Sequence, residues 1–492
     1  MIMEMRKIYG VVLLAALAMG LNGCSDDDDN TVDNGLRTGN ATKIELTKDA
    51  VPVSALQFSI GRGSAIIGIE SDGNWTAEVD DTTWVKLAVH AGYGYTNKLS
   101  YTKLDVLKNE GENQRSATLT VKSGSLTKTL VINQNGMGLD PNDPFISAFT
   151  FVERMGLGYN LGNTLDSNPL GSWWDPEDKT PYDFETQWGQ PETTQEIIDF
   201  IAERGFKTIR VPVTWGIHCN SNGNIRKDWM NRVEEVVKMV LDAGCYCILN
   251  IQHDSGDAEN AWLRADMDNY EAISAQMKSL WTQIAEHFRD YDEHLVFEAF
   301  NEILSADGEW GDPADDACYT AVNMLEQDFV DVVRATGGNN EYRNLMVNPY
   351  GSGSSAAKLA AMEIPKDIHP NHILASIHSY DPYWFCNDTS DKEAQQWYIY
   401  MFDTTCQQEI DDIFIRIEKR FSGELGVPYV IGEFGAIGKH PAMAERVKYA
   451  QYMVQKFKQY NTTGLWWMGL CDRDELEWTE PNIVDALFGN SQ

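Results

Sequence analysis

Three kinds of hydrophobic patterning follow one another along the chain. A continuous apolar run, Ile8 to Met19, stands behind Arg6-Lys7 and reads with its flanks as a secretory leader over 1–24, too short to span a bilayer comfortably. From 41 to 136 apolar and polar residues alternate, as in Lys43-Ile-Glu-Leu46, Leu56-Gln-Phe-Ser-Ile60, Trp75-Thr-Ala-Glu-Val79, Trp84-Val-Lys-Leu-Ala-Val89, Ala117-Thr-Leu-Thr-Val121 and Leu126-Thr-Lys-Thr-Leu-Val-Ile132. Period-two strands broken by turns such as Ser71-Asp-Gly-Asn74 predict a small all-β sandwich, with Trp75 and Trp84 in its core. The Asp-, Asn- and Gly-rich residues 25–40 read as a flexible stalk, and 137–144 as a linker.

Beyond 145 the period changes, and apolar strand-like runs alternate with helical ones. The strand candidates are Leu157–Leu161, Lys207–Val213, Cys245–Ile251, the run from Leu295 to Glu302, Asn344–Asn348, His372–Ile377, Pro428–Ile431 and Gly464–Met468. Between them lie a helix near Thr194–Arg204, one with Trp229, Val233, Val236, Val237 and Val240 on one face, and one with Ile273, Met277, Leu280, Trp281 and Ile284 on another. Eight such strands predict an α/β fold, a (β/α)8 TIM barrel over 145–490.

In a parallel barrel the carboxyl ends of the strands form the face on which sites are built. Ending each strand where its apolar run ends gathers Asn163, Arg210, Gln252 or His253, Asn301, Glu302, Asn348, His378, Tyr380, Glu433 and Trp467 at one mouth. Two carboxylates there can divide the work of glycosidic cleavage. A neutral Glu302 would protonate the leaving oxygen while an ionised Glu433 attacks the anomeric carbon. Arg210 would keep Glu433 ionised, and His378 and Tyr380 could hydrogen-bond it. Asn301 could hold a sugar 2-hydroxyl, and Trp467 offers a flat face to a sugar ring. Trp173, Trp174, Trp188, Trp262, Trp310 and Trp384, in or near loops, are candidate stacking platforms.

Charge narrows the partners. A formal net charge of −35 disfavours nucleic acid, anionic membrane surface and polyanionic substrates, leaving a neutral polysaccharide or oligosaccharide. Of the eight cysteines, Cys245 and Cys247 lie in an apolar run as core residues, and no Cys/His spacing suits a metal. No metal, no cofactor and no obligate oligomer are expected; the chain reads as a monomer.

Four resemblances follow from particular stretches. Leu21-Asn-Gly-Cys24 resembles a bacterial lipobox, which implies lipidation of Cys24. The acidic Ser25-Asp-Asp-Asp-Asp29 behind it resembles export signals of surface lipoproteins, so the expected location is the outer membrane, facing outward. Gly73-Asn-Trp75, Trp84-Val-Lys, Arg115-Ser-Ala-Thr-Leu-Thr-Val121 and Val131-Ile-Asn-Gln134 resemble a BACON domain, an immunoglobulin-like module, here expected to act as a spacer. Met155-Gly-Leu-Gly-Tyr-Asn-Leu-Gly-Asn-Thr-Leu-Asp166, Gly205-Phe-Lys-Thr-Ile-Arg-Val-Pro-Val-Thr-Trp215, Phe297-Glu-Ala-Phe-Asn-Glu302, His378-Ser-Tyr-Asp-Pro-Tyr383 and Ile431-Gly-Glu-Phe-Gly435 resemble glycoside hydrolase family 5, nearest its endo-β-1,4-glucanase and xyloglucanase branch.

That resemblance implies a retaining mechanism, with Glu302 in the acid/base position and Glu433 in the nucleophile position, and cellulase-like cleavage of a β-1,4-glucan. A xyloglucanase, a β-mannanase, an exo-acting enzyme or a catalytically silent glycan-binding lipoprotein are the alternatives. The chain departs from the family pattern once. Asn250-Ile-Gln-His-Asp254 puts Gln252 where a histidine is usual, and an amide cannot become cationic, so an altered preference or rate at the cleavage subsite is expected.

Overall fold

The computed structural model describes residues 36–37, 41–48, 51–58, 63–96, 98–109, 111, 113–134, 136, 144–169, 176–369, 371–388, 400–437 and 439–489. The leader, Cys24, Trp173 and Trp174 lie outside the described residues. Among the described residues no helix is long and apolar enough to cross a membrane.

The N-terminal unit is a sandwich of two five-stranded sheets. One runs in the order Val51–Pro52, Ile44–Lys48, Gly63–Ser71, Ser100–Val106, Val85–Leu87; the other Ala55–Phe58, Leu126–Gln134, Arg115–Ser123, Trp75–Val79, Ala91–Gly92. Alternation decides which face is buried. In Trp75–Val79, Trp75, Ala77 and Val79 point inward while Thr76 and Glu78 face solvent. Trp75 and Trp84 are 2% and 3% exposed, so both are core, and the Trp84 indole N–H donates to Asp81 Oδ2 at 2.9 Å. Two findings differ from the pattern. Gly63–Ser71 and Ser100–Val106, neither singled out above, pair at the centre of one sheet. Leu36–Arg37, within the expected free stalk, forms an antiparallel pair with Gly94–Tyr95.

Eight parallel strands close the second unit into a barrel in chain order: Gly158–Asn160, Thr208–Val211, Tyr246–Asn250, Leu295–Glu298, Leu345–Val347, Ile373–Ser379, Tyr429–Phe434 and Gly464–Trp467. All lie within or overlap the predicted runs. Nearly every residue in them is buried, because a parallel strand is covered by the barrel interior on one face and by helices on the other. The helices Gln195–Glu203, Lys227–Asp242 and Tyr270–His287 pack the faces expected of them, with Trp229 and Trp281 fully buried. Truncating either indole to Ala would cost about 3–5 kcal/mol.

Two details position the site. The fourth strand leaves the ladder at Glu298 rather than at Glu302, although the Ala299 and Asn301 N–H groups still donate to the carbonyls of Met346 (3.0 Å) and Ile251 (2.8 Å). The sixth and seventh strands pair as Ile377 with Ile431 and then His378 with Glu433, so Gly432 is the extra residue of a bulge.

Candidate active site

The barrel mouth is organised around one buried guanidinium. Arg210, on the second strand, is fully buried and its fork is fully engaged. Nε donates to Glu298 Oε2 at 2.6 Å, Nη1 to Glu433 Oε1 at 2.8 Å and to Asn160 Oδ1 at 3.0 Å, and Nη2 to Asn301 Oδ1 at 3.0 Å. Groups from the first, fourth and seventh strands thus converge on a cation that cannot lose its charge. Glu298 is in turn held by Asn250 Nδ2 at 3.2 Å and by Asn348 Nδ2 at 3.2 Å. Beneath it sits Glu326, completely buried on the helix Ala317–Ala335, accepting the Asn348 backbone N–H at 2.7 Å. Burial, with the Glu298 charge adding to it, pushes the Glu326 carboxyl well above its ordinary range.

Glu433 and Glu302 face each other above this layer. One oxygen of each carboxylate and a ring nitrogen of His378 lie within 4.8 Å of one another. Tyr380 O–H donates to Glu433 Oε2 at 2.9 Å, and His378 Nδ1 lies 2.8 Å from Glu302 Oε1 and 3.7 Å from Glu433 Oε2. Burial works against charge on Glu433, but His378, Arg210 and the Tyr380 hydrogen bond outweigh it and hold the carboxyl below its usual range. Burial alone would lower His378; the charges of Glu433 and Glu302 and the hydrogen bond to Glu302 raise it instead. Burial, then the same two carboxylates, pushes the Tyr380 phenol well up, so it remains a neutral donor. Arg210 and Tyr380 each donate to one oxygen of Glu433, and His378 binds one oxygen of Glu302, so hydrogen bonds already knit the trio together.

Most of the expected residues meet here, with two corrections and one choice between alternatives. Asn163 does not join the cluster; it takes a left-handed backbone (φ 60°), and Asn160 supplies the first strand's amide instead. His378 bonds Glu302 rather than Glu433, because the bulge at Gly432 leaves its Nδ1 nearer the opposite carboxylate. Of the two third-strand candidates, Gln252 faces the carboxylates. Its Oε1 accepts from Asn250 Nδ2 at 2.6 Å, which turns Nε2 toward Glu433 Oε1 at 3.5 Å. His253 sits on the cleft wall, tied by Nδ1 to the Asp166 carbonyl at 2.7 Å, its ring edge-on to Trp188. Glu298, Asn160, Asn250 and Glu326 were not singled out beforehand. A glutamate within an apolar strand run was the available signal for Glu298, since a buried charge demands a partner.

A cleft of about 1000 Å³ opens over the pair, lined by Gln252, His253, Trp310, Lys358, Tyr380 and Trp467 among others. Trp310 is 48% exposed and Trp188 36%, so both offer ring surface, whereas Trp262 donates its N–H to Asp254 and Trp384 packs on Phe385. Asn301 keeps its Nδ2 without a hydrogen-bond partner among the described residues, on the cleft wall. The seven cysteines of the described residues are all free, and Cys245 and Cys247 are buried.

A (β/α)8 barrel with two glutamates opposed across its mouth and braced by Arg, His and Tyr is the architecture of a glycoside hydrolase. The profile of the cellulase family, glycosyl hydrolase family 5, matches residues 175–469, and that of BACON, a putative N-terminal binding domain, matches 73–135. Endoglucanase A of Clostridium longisporum is 34% identical over 356 residues, 70% of this chain and 65% of that enzyme, so the chain spans a little under two thirds of that relative. The crystal structure of a family 5 enzyme from Prevotella bryantii B14, in complex with a xyloglucan tetradecasaccharide, is 37% identical, with a TM-score of 0.64 over 70% of this chain and 98% of that one. A Bacteroides ovatus family 5 xyloglucanase, in complex with a heptasaccharide, is 27% identical, with a TM-score of 0.63 over 91% of this chain and 99% of that one. The chain belongs to glycosyl hydrolase family 5.

Proposed function

We propose that the chain is a retaining, endo-acting hydrolase that cuts the backbone of a neutral β-1,4-glucan. The opposed Glu302 and Glu433 carry this reading. One oxygen of each lies within 4.8 Å of the other, an approach compatible with the separation of about 5–5.5 Å typical of double displacement. Glu433 attacks the anomeric carbon while Glu302 passes its proton to the departing oxygen. Glu302 then takes a proton from the water that cleaves the glycosyl ester, and the configuration is restored. Arg210 and Tyr380 hold Glu433 ionised and aimed, and the free Asn301 amide is placed to donate to a 2-hydroxyl. Trp467, Trp310 and Trp188 supply ring faces along an open cleft.

A branched β-1,4-glucan is a second reading, favoured by the xyloglucan oligosaccharide bound in the Prevotella bryantii enzyme. Purified protein lacking the leader is to be assayed for new reducing ends on hydroxyethylcellulose, barley β-glucan, xyloglucan and mannan, with Glu433→Ala alongside. Short oligomers from a glucan, abolished in the variant, support the proposal. Products from mannan alone, release of only terminal sugars, or binding without turnover each sink it.

The proposal extends to location: lipidation of Cys24 holds the enzyme on the outer face of the outer membrane, as the leader pattern and the acidic run 25–29 suggest. Cys24→Ala should move the protein from the membrane fraction to the soluble one, and protease added to intact cells should digest the wild type. Retention of the variant in the membrane would contradict this.

A further inference from the structure

Among the described residues, two buried polar atoms beside the active site have no hydrogen-bond partner, Ser376 Oγ and His378 Nε2. They belong to one strand at positions two apart, so both side chains point to the same side. Both also abut the same glycine. A Cβ built on Gly432 would stand 2.2 Å from Ser376 Oγ and 3.1 Å from His378 Nε2, and these are its two nearest residues. Gly432 is the bulge residue immediately before Glu433, and the place a side chain would take there is already filled by the serine hydroxyl and bordered by the far side of the imidazole. Ser376 lies at 0% exposure and His378 at 6%, so bulk solvent does not satisfy either atom. Buried polar groups without partners are uncommon, and two against one glycine call for a joint account.

We infer that Ser376 is a positioning residue that acts through His378 on Glu302, its hydroxyl meeting Nε2 directly after a small closing movement. A hydroxyl both donates and accepts, which suits a ring that changes its protonation during the reaction. When the shared proton is on His378, Nδ1–H donates to the Glu302 carboxylate and Nε2–H donates to Ser376 Oγ. When Glu302 holds a proton toward Nδ1, the neutral ring keeps its hydrogen on Nε2, again donated to the serine. When the pair has lost that proton, Nδ1–H still faces Glu302 and Nε2 accepts the serine O–H. The hydroxyl therefore serves each state by rotating, and no carboxylate has to move. The charged groups facing His378 from the neighbouring elements are Glu302, Glu433 and Arg210, with Tyr380 on its own segment; none of them supplies a partner to Nε2. The inference rests on Glu302 as the acid.

Ser376→Ala tests it by two readouts. Loss of the partner penalises the protonated ring more than the neutral one, since hydrogen bonds to charged groups are the stronger. The basic limb of kcat/KM is expected to fall by about one pH unit, with KM changed less than about twofold, and the titration of His378 followed by 15N NMR should shift in the same direction. Ser376→Cys, of similar volume but a poorer partner, should fall between the two. A purely structural serine would lower Tm and leave both titrations in place, and that result, or unchanged titrations in Ser376→Cys should the alanine variant not fold, overturns the inference. If His378 shifts while the basic limb stays, the link between serine and histidine stands and Glu302 is not the acid.

Discussion

Arg210 and Glu433 meet at 2.8 Å from the second and seventh barrel strands, and the other edge of the same guanidinium holds Glu298 at 2.6 Å. One cation therefore serves two carboxylates, one buried in the barrel and one, the proposed nucleophile, at the cleft. Removing it with Arg210→Met leaves both buried and uncompensated, at a cost of about 3–5 kcal/mol in stability. It should also lower kcat at least about a hundredfold. Adding Glu298→Gln removes one of the stranded charges, so chemical denaturation should show the double variant more stable than Arg210→Met alone. Equal or lower stability in the double variant would mean that Glu298 is not the balancing charge.

Glu326 gives the fold a pH dependence separate from catalysis. Its carboxyl is raised in the folded state by burial and by Glu298, so the folded chain holds a proton that the unfolded chain releases near 4.5. For a raised group the stability contribution is complete below the unfolded value and is lost as pH climbs through the folded one. The wild type should therefore lose more Tm than Glu326→Gln between about pH 5 and about pH 8. Scanning calorimetry at both values decides this; parallel losses in the two proteins refute it.

Gln252 places a neutral amide against Glu433, the proposed nucleophile, oriented by Asn250 at 2.6 Å. Gln252→His would put a titratable ring there and disturb that bond. Activity should persist, with kcat/KM on the preferred glucan changed by about threefold to tenfold and the relative rates on different glucans altered. No change in any rate, pH profile or substrate ranking would show that the amide is a silent replacement.

Trp310, nearly half exposed on the cleft wall, donates its indole N–H to Asp257 Oδ2 at 3.3 Å, and its backbone carbonyl accepts from Lys358 Nζ at 2.8 Å. Trp310→Ala should raise KM for long glucans by up to about tenfold while leaving kcat within about twofold, the value of one aromatic contact. An unchanged KM on polymers would place the sugar chain elsewhere along the cleft.

The barrel was legible because parallel strands buried on both faces write themselves as unbroken apolar runs, and each of the eight runs is a strand in the expected order. Glu302 and Glu433 stood out as carboxylates at the ends of such runs. The sandwich was only partly legible. Gly63–Ser71 carries glycines and a mixed face, and Ser100–Val106 exposes Tyr101 and Lys103 between buried Thr102 and Leu104, so neither made the apolar rhythm of its neighbours. Asn160 and Asn163 could not be told apart as site residues from sequence, since which one meets Arg210 depends on where the first strand ends and on the left-handed turn that follows.

By itself the sequence determined what depends on local periodicity: a period-two sandwich, a repeating strand–helix barrel, and the polar residues stationed where strands stop. Only the tertiary structure decided what depends on register across strands distant in the chain. That includes the division of Arg210 between Glu298 and Glu433, the choice of Glu302 over Glu433 as the partner of His378, and the close approach of both Ser376 and the His378 ring to Gly432. The physical reason is that a single bulge residue alters which atoms face each other by a few ångströms, and hydrogen bonds are made or lost over less than that.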